Sequence, residues 1–224
     1  MKLVLASGSQ RRRELLTMCG YDYEIIVSNA DETIDENDPE SFVRALSFRK
    51  AKDVFDRLFA AGRRDFAVIG SDTVVAFQKD GGTKPVIIGK PKDAKDAVRI
   101  LSMLSGKTHR VFTGVSVIAD IPDENAAAQC SIREKAEIQT ECSITEVTFE
   151  TLSPDEIADY VNSGDPLDKA GSYGIQGPFG MFVREIRGNY FTVIGMPIPV
   201  LYKMLKKIAV SYTHLRAHET CADL

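Results

Sequence analysis

The 224-residue chain is short of several things, and each shortage closes off a class of protein. Its four cysteines, Cys19, Cys130, Cys142 and Cys221, are scattered and form no CxxC pair. That spacing supports neither a disulfide framework nor a zinc site, so reduced thiols are expected. No stretch approaches 18 consecutive apolar residues, and the short apolar run at the N-terminus precedes its basic cluster instead of following it. Neither a membrane span nor a secretory signal is expected, and the predicted location is cytoplasmic. Positive charge is not in excess: the formal net charge is −4. Nucleic-acid binding needs a basic face able to neutralise many phosphates, so no nucleic-acid partner is expected, and any nucleotide bound should be small and free. There is no GxxxxGK[ST] and no GxGxxG opening a helix, which removes the P-loop and dinucleotide-binding readings.

What is present suits one sizeable core, as one domain or two tightly fused lobes, with 44% hydrophobic and 27% charged residues. Strand-like and helix-like patterns alternate first and a run of strands follows, which predicts an α/β fold. Leu3 to Ala6 reads as a strand, Ser9 to Met18 as a helix stopped by Gly20, and Tyr23 to Ser28 as a second strand. Asp38-Pro39 caps a long amphipathic helix. Phe66 to Gly70 is a continuous apolar run, broken by Ser71-Asp72-Thr73 and resumed by Val74 to Phe77 as a hairpin arm, which puts Asp72 at a strand's end. Lys92 to Ser105 predicts a helix and Arg110 to Ala119 a strand. Asp120 to Gln139 is polar and alanine-rich and reads as a surface connection, and Ser143 to Phe149 alternates as a strand. Ser153-Pro154-Asp155-Glu156 is a capping box. Met181 to Ile186 and Tyr190 to Ile194 read as a strand pair about Gly188-Asn189, and Pro197 to Ile208 as the closing helix. Val210 to Leu224 lacks either period and resembles adapter-derived sequence, so the domain is taken as 1–209 and 210–224 as a non-native or disordered tail.

Six segments carry candidate chemistry. In LASGSQRRRELL a strand runs through Ser7, Gly8 and Ser9 into a helix that opens with Arg11, Arg12 and Arg13. Free backbone N–H groups, hydroxyls and guanidinium forks then surround one small volume, which suits a polyphosphate. Like charge in a helix's first turn opposes its dipole, a conflict that a bound anion would remove. Asp31-Glu32 follows the second strand, Lys50 lies in the long helix, Asp72 follows the apolar run, and Lys90 precedes Pro91. PLDKAGSYGIQG places Asp168, Lys169, Tyr173 and Gln176 among Gly171, Gly174 and Gly177, where backbone can approach a ligand closely.

Taken in order with RKA (Arg49 to Ala51), IGSDTVV (Ile69 to Val75), GKP (Gly89 to Pro91) and LSGKTHRVFTGV (Leu104 to Val115), these segments resemble the Maf family of nucleoside triphosphate pyrophosphatases, from residue 2 to residue 208. The resemblance implies an elongated mixed sheet with flanking helices and a deep cleft between two lobes, akin to inosine triphosphate pyrophosphatases, and a homodimer. It implies a house-cleaning hydrolase that splits nucleoside triphosphates into monophosphate and pyrophosphate with Mg²⁺ or another divalent cation such as Mn²⁺. Arg11, Thr73 and Gln176 match members acting on dTTP and UTP, whereas the branch acting on 7-methyl-GTP carries Trp at the first of these positions. One departure is Gln10, where the family has proline.

By the same resemblance Glu32 and Asp72 hold the metal, Asp72 is the general base, and Lys90 joins them as a catalytic group. Ser7, Arg11, Arg12, Lys50, Asp168 and Lys169 bind the substrate, and Thr73 with Gln176 reads the pyrimidine edge. Two alternatives stand beside this reading: a non-catalytic nucleotide-binding regulator of septum formation, and a purine pyrophosphatase acting on ITP or 7-methyl-GTP.

Overall fold

A computed structural model describes residues 1–78, 85–121 and 136–219, with side chains as far as residue 209. Seven strands form one sheet: β1 (Lys2–Leu5), β2 (Tyr23–Ile25), β3 (Phe66–Phe77), β4 (Val86–Ile88), β5 (Thr108–Asp120), β6 (Ala136–Phe149) and β7 (Val183–Arg187). Their order is β2-β1-β3-β5-β6-β7, with β4 beside the second half of β3. β1 is parallel to β2 and β3, and the other pairs are antiparallel. The helices are α1 (Gln10–Met18), α2 (Pro39–Ala60), α3 (Ala94–Leu104), α4 (Pro154–Asn162), α5 (Tyr190–Ile194) and α6 (Ile198–Glu219). Local chemistry sets several of their ends. The Asp38 carboxylate accepts from the Ser41 N–H with Pro39 at the first helical position, and the capping box at Ser153 and Glu156 is complete.

The apolar side chains divide by strand parity. Val68, Val74 and Ala76 of β3 face α2, packing with Val43, Ala51 and Val54. Ala67 and Ile69 face the other way onto α1 and α6, and Val75 and Phe77 onto α3 and α4. On that second face a row of hydroxyls, Thr73, Thr113 and Ser143 in register on β3, β5 and β6, separates the two apolar clusters. This row is the seam between two lobes. On the opposite face α2 crosses the sheet in close contact, because Gly70 and Gly114 leave it room. A Cβ at Gly70 would lie 2.2 Å from the Ser47 carbonyl oxygen, and one at Gly114 would lie 2.2 Å from that of Val43.

Four expectations need correction. Ser71-Asp72-Thr73 does not break the apolar run: β3 is continuous, because β5 pairs with it from Ala67 to Ala76 and satisfies the backbone throughout. Asp72 is therefore mid-strand. Tyr190 to Ile194 is a helix and not a strand, since the Asn189 side chain accepts from the Phe191 N–H as an N-cap and Gly195, at φ +111°, ends the helix. β6 begins at Ala136, so the connection expected to reach Gln139 stops short of it; residues 122–135 lie outside the described part. α6 passes the expected end at Ile208, since no glycine or proline interrupts 209–219, and the backbone of the tail is helical as far as Glu219.

Candidate active site

Asp72 reaches a cavity from the middle of a strand because one edge of β3 is left open. β1 pairs with β3 only as far as Ile69, and β4 takes up that edge only from Val75. Among the described residues no strand covers Gly70 to Val74 on that side. The opening leads into a cavity of about 740 Å³, within the range of small-molecule sites. All eleven side chains given a catalytic, metal or substrate role above line it, Ser7, Arg11, Arg12, Glu32, Lys50, Asp72, Thr73, Lys90, Asp168, Lys169 and Gln176, whereas Arg13 of the arginine turn does not. Five are cations and three are carboxylates, a local positive excess in a chain whose net charge is −4. Such a lining suits a polyanion.

On the α2 face, Lys50 lies between the two carboxylates, with Nζ 2.8 Å from Asp72 Oδ1 and 2.9 Å from Glu32 Oε1. An ammonium has three hydrogens, so one is left for a ligand. Among the described residues no group of three or more His, Cys, Asp or Glu side chains could hold a metal. Two hard carboxylates nevertheless fit Mg²⁺, which binds through one or two carboxylates and completes its shell with water and substrate phosphates.

On the other face Arg12 is fixed in place by protein acceptors. Its Nε donates to the Gly195 carbonyl at 2.8 Å, Nη1 to Ser7 Oγ at 3.2 Å and Nη2 to Thr73 Oγ1 at 3.3 Å. Burial pulls its pKa below the ordinary arginine value; the charge of Asp72 opposes that shift and the charge of Arg11 adds to it. Hydrogen counting then assigns the hydroxyls. Thr113 Oγ1 donates to the Thr192 carbonyl at 2.7 Å, so in the 3.0 Å contact between Thr73 and Thr113 the donor is Thr73. Thr73 thus offers a ligand a lone pair and no hydrogen. Ser7 is the reverse: its oxygen accepts from Arg12 and from the Ser9 N–H, which leaves its own hydrogen free.

The glycine-rich segment closes the cavity. Lys169 spends all three hydrogens on the protein, on the Asp165 carbonyl at 2.5 Å, Asp165 Oδ1 at 2.9 Å and Asp168 Oδ1 at 2.8 Å. In this arrangement it orders the loop and has no hydrogen for a substrate. Arg11 reaches across to Asp168 Oδ2 at 3.1 Å. Burial alone would raise the Asp168 carboxyl, but Lys169 and Arg11 outweigh it and hold it below the usual carboxylate value. Lys90 and Gln176 line the cavity with no hydrogen-bond partner among the described residues.

Several residues that build this site carry no role that their place in the sequence shows. His109 is buried at 2% exposure, with Nε2 2.9 Å from the Tyr173 hydroxyl, and burial pushes its pKa down to about 3. Tyr173 lines the cavity. Thr113, from the same THRVFTG segment, sets the direction of the Thr73 hydroxyl. Gly195 supplies the carbonyl that holds Arg12. The segment was visible as a motif, but which side chains its residues meet depends on strands and helices far away in sequence.

A cationic cavity at a lobe seam, with two carboxylates facing one ammonium, marks an α/β protein built to receive a polyanion. Residues 2–208 match the family described as Maf-like protein, and the chain belongs to that family. Similar curated proteins include the dTTP/UTP pyrophosphatase of Bacillus thuringiensis subsp. konkukian (strain 97-27), 42% identical over 95% of this chain and 98% of that protein. The dTTP/UTP pyrophosphatase of Bacillus anthracis has the same identity and coverage. Among solved structures, the Ham1 protein of Staphylococcus aureus is 13% identical with a TM-score of 0.45, covering 92% of this chain and 99% of that one. That likeness is too distant to argue from.

Proposed function

We propose that this chain hydrolyses dTTP and UTP to the monophosphate and pyrophosphate. The observation that carries the proposal is the convergence of cations and two paired carboxylates from six separate segments on one cavity. The likeness to the dTTP/UTP pyrophosphatases supports the choice of substrate.

In the proposed reaction a water oxygen attacks the α-phosphorus, the α–β phosphoanhydride bond breaks, and pyrophosphate leaves with the bridging oxygen. Asp72 takes the proton from the attacking water. Glu32 and Asp72 would hold Mg²⁺ or Mn²⁺, which supplies charge neutralisation and acidifies bound water. Lys50, with its remaining hydrogen, and Lys90 steady the charge developing on the departing pyrophosphate. Arg12 is oriented before the substrate arrives, and Ser7 donates its free hydrogen to a phosphate oxygen. Gln176 and the Thr73 lone pair meet the base. A lone pair accepts from the N3–H of uracil or thymine, which cytosine lacks. A cytoplasmic location and a homodimer belong to the same proposal. No described helix is long and apolar enough to cross a membrane.

The test is a panel of dTTP, UTP, CTP, ITP and 7-methyl-GTP, each with Mg²⁺ and with chelator, read as pyrophosphate release. Release from dTTP and UTP that stops on chelation supports the proposal. Tight binding without release would turn it toward a regulator, and release confined to ITP or 7-methyl-GTP toward the purine reading.

A further inference from the structure

We infer that Arg49 is a positioning residue that holds Glu32 in the site, with α2 acting as a template for the loop that carries it. The inference rests on the proposed reaction only for its kinetic arm. Glu32 stands on an irregular segment between β2 and α2, where no strand or helix fixes its backbone. The segment is held instead by side chains of α2 at successive turns, at positions 49, 53 and 57, which helical geometry places on one face. Arg57 Nη2 donates to the Val27 carbonyl at 2.8 Å. Asp53 Oδ2 accepts from Ser28 Oγ at 3.0 Å and from the Asn29 N–H at 2.9 Å. Arg49 completes the stripe: Nη1 donates to the Asp31 carbonyl at 2.9 Å and to the Thr33 carbonyl at 2.8 Å.

Those two carbonyls flank Glu32, so the two hydrogens of one guanidinium nitrogen bracket the residue's backbone. The turn is closed from its own side as well, by Asp31 Oδ1 accepting from the Thr33 N–H at 2.9 Å. The neighbouring Lys50 takes the Glu32 carboxylate itself. Adjacent residues of one helix therefore divide the work, Arg49 fixing the main chain and Lys50 the side chain. This accounts for the arginine of the RKA segment, whose side chain makes its hydrogen bonds, among the described residues, to the Asp31 and Thr33 carbonyls and not to a candidate site side chain. A lysine ammonium can also offer two hydrogens from one nitrogen, but its flexible stem does not hold them in a fixed plane.

Two measurements test this. In Arg49→Met, amide hydrogen exchange across 30–34 is expected to quicken about tenfold, with the sheet unchanged. Unaltered exchange there would overturn the inference whether or not the protein is an enzyme. In steady-state kinetics with dTTP, Arg49→Met is expected to lower kcat about tenfold or more while KM moves less than about threefold. Arg49→Lys should recover part of the loss, and Arg49→Met added to Glu32→Gln should cost nothing further. Losses that multiply in the double variant would show that Arg49 acts elsewhere and overturn the inference. If Arg49→Met does not fold, Arg49→Gln takes its place. A wild type that releases no pyrophosphate from any nucleotide refutes the proposed function, and hydrogen exchange then judges Arg49 alone.

Discussion

Asp72 and Thr73 are consecutive, line the same cavity, and belong to opposite faces of β3. On the Asp72 side the groups are charged and not fully committed: Lys50 is shared between two carboxylates and keeps its third hydrogen for a ligand. On the Thr73 side the contacts form a fixed sequence, from Arg12 through Thr73 and Thr113 to the Thr192 carbonyl, each donor committed. One face is suited to chemistry and the other to holding still. Ordinarily the two faces of a strand cannot serve one ligand. Here the gap between β1 and β4 lets them meet around an open edge.

The comparison can be broken most severely at Asp72. Asp72→Asn keeps the shape but removes the proposed base, and turnover is expected to fall by about 10² or more, read as pyrophosphate release. Near-normal turnover in a folded variant would sink the assignment. Next comes the support of the charged face. Gly114→Ala puts a Cβ 2.2 Å from the Val43 carbonyl oxygen and must push α2 away, at a cost of about 1–3 kcal/mol in urea unfolding. Because α2 carries Lys50, turnover should fall with it; stability loss without loss of turnover would separate the two.

The fixed face is tested through pH and through a hydroxyl. His109 lies on the same face of β5 as Thr113, and burial takes its pKa from 6.5 to about 3. Between those values the unfolded chain binds a proton that the folded chain refuses. Stability therefore falls as pH drops through this window, by up to about 1.4 kcal/mol per pH unit. Urea midpoints at pH 7 and pH 4.5 should differ less in His109→Gln than in the wild type. The smallest effect is expected at Ser71, whose one buried hydroxyl hydrogen lies between the Gly114 and Gly195 carbonyls, 2.9 and 3.0 Å from its oxygen. Ser71→Ala should cost about 1 kcal/mol in the same unfolding measurement.

Much of this is legible in the sequence. The opening β1-α1-β2-α2 order, the caps at Asp38 and Ser153 and the glycine stop at Gly20 follow from local chemistry that neighbours in sequence decide. The eleven candidate side chains were legible too, the arginine turn as chemistry suited to a polyphosphate and the rest chiefly through the ordered motifs that resemble the Maf family. Their partners were not. Lys169 reads as a cation for substrate, yet it spends its hydrogens on Asp165 and Asp168. Tyr190 to Ile194 has strand composition, yet a single asparagine cap and a glycine stop turn it into a helix. Ser71-Asp72-Thr73 looked like a break because polar residues interrupt an apolar run, and continuous pairing with β5 overrides that local signal.

By itself the sequence determined which short-range elements form and which charged groups are available, since capping, periodicity and turn chemistry act over a few residues. Only the tertiary structure decided which edge of β3 stays open and which hydrogens remain for a ligand. Those outcomes depend on where β1 ends, where β4 begins, and which distant carbonyl each side chain meets, and no local segment contains that information.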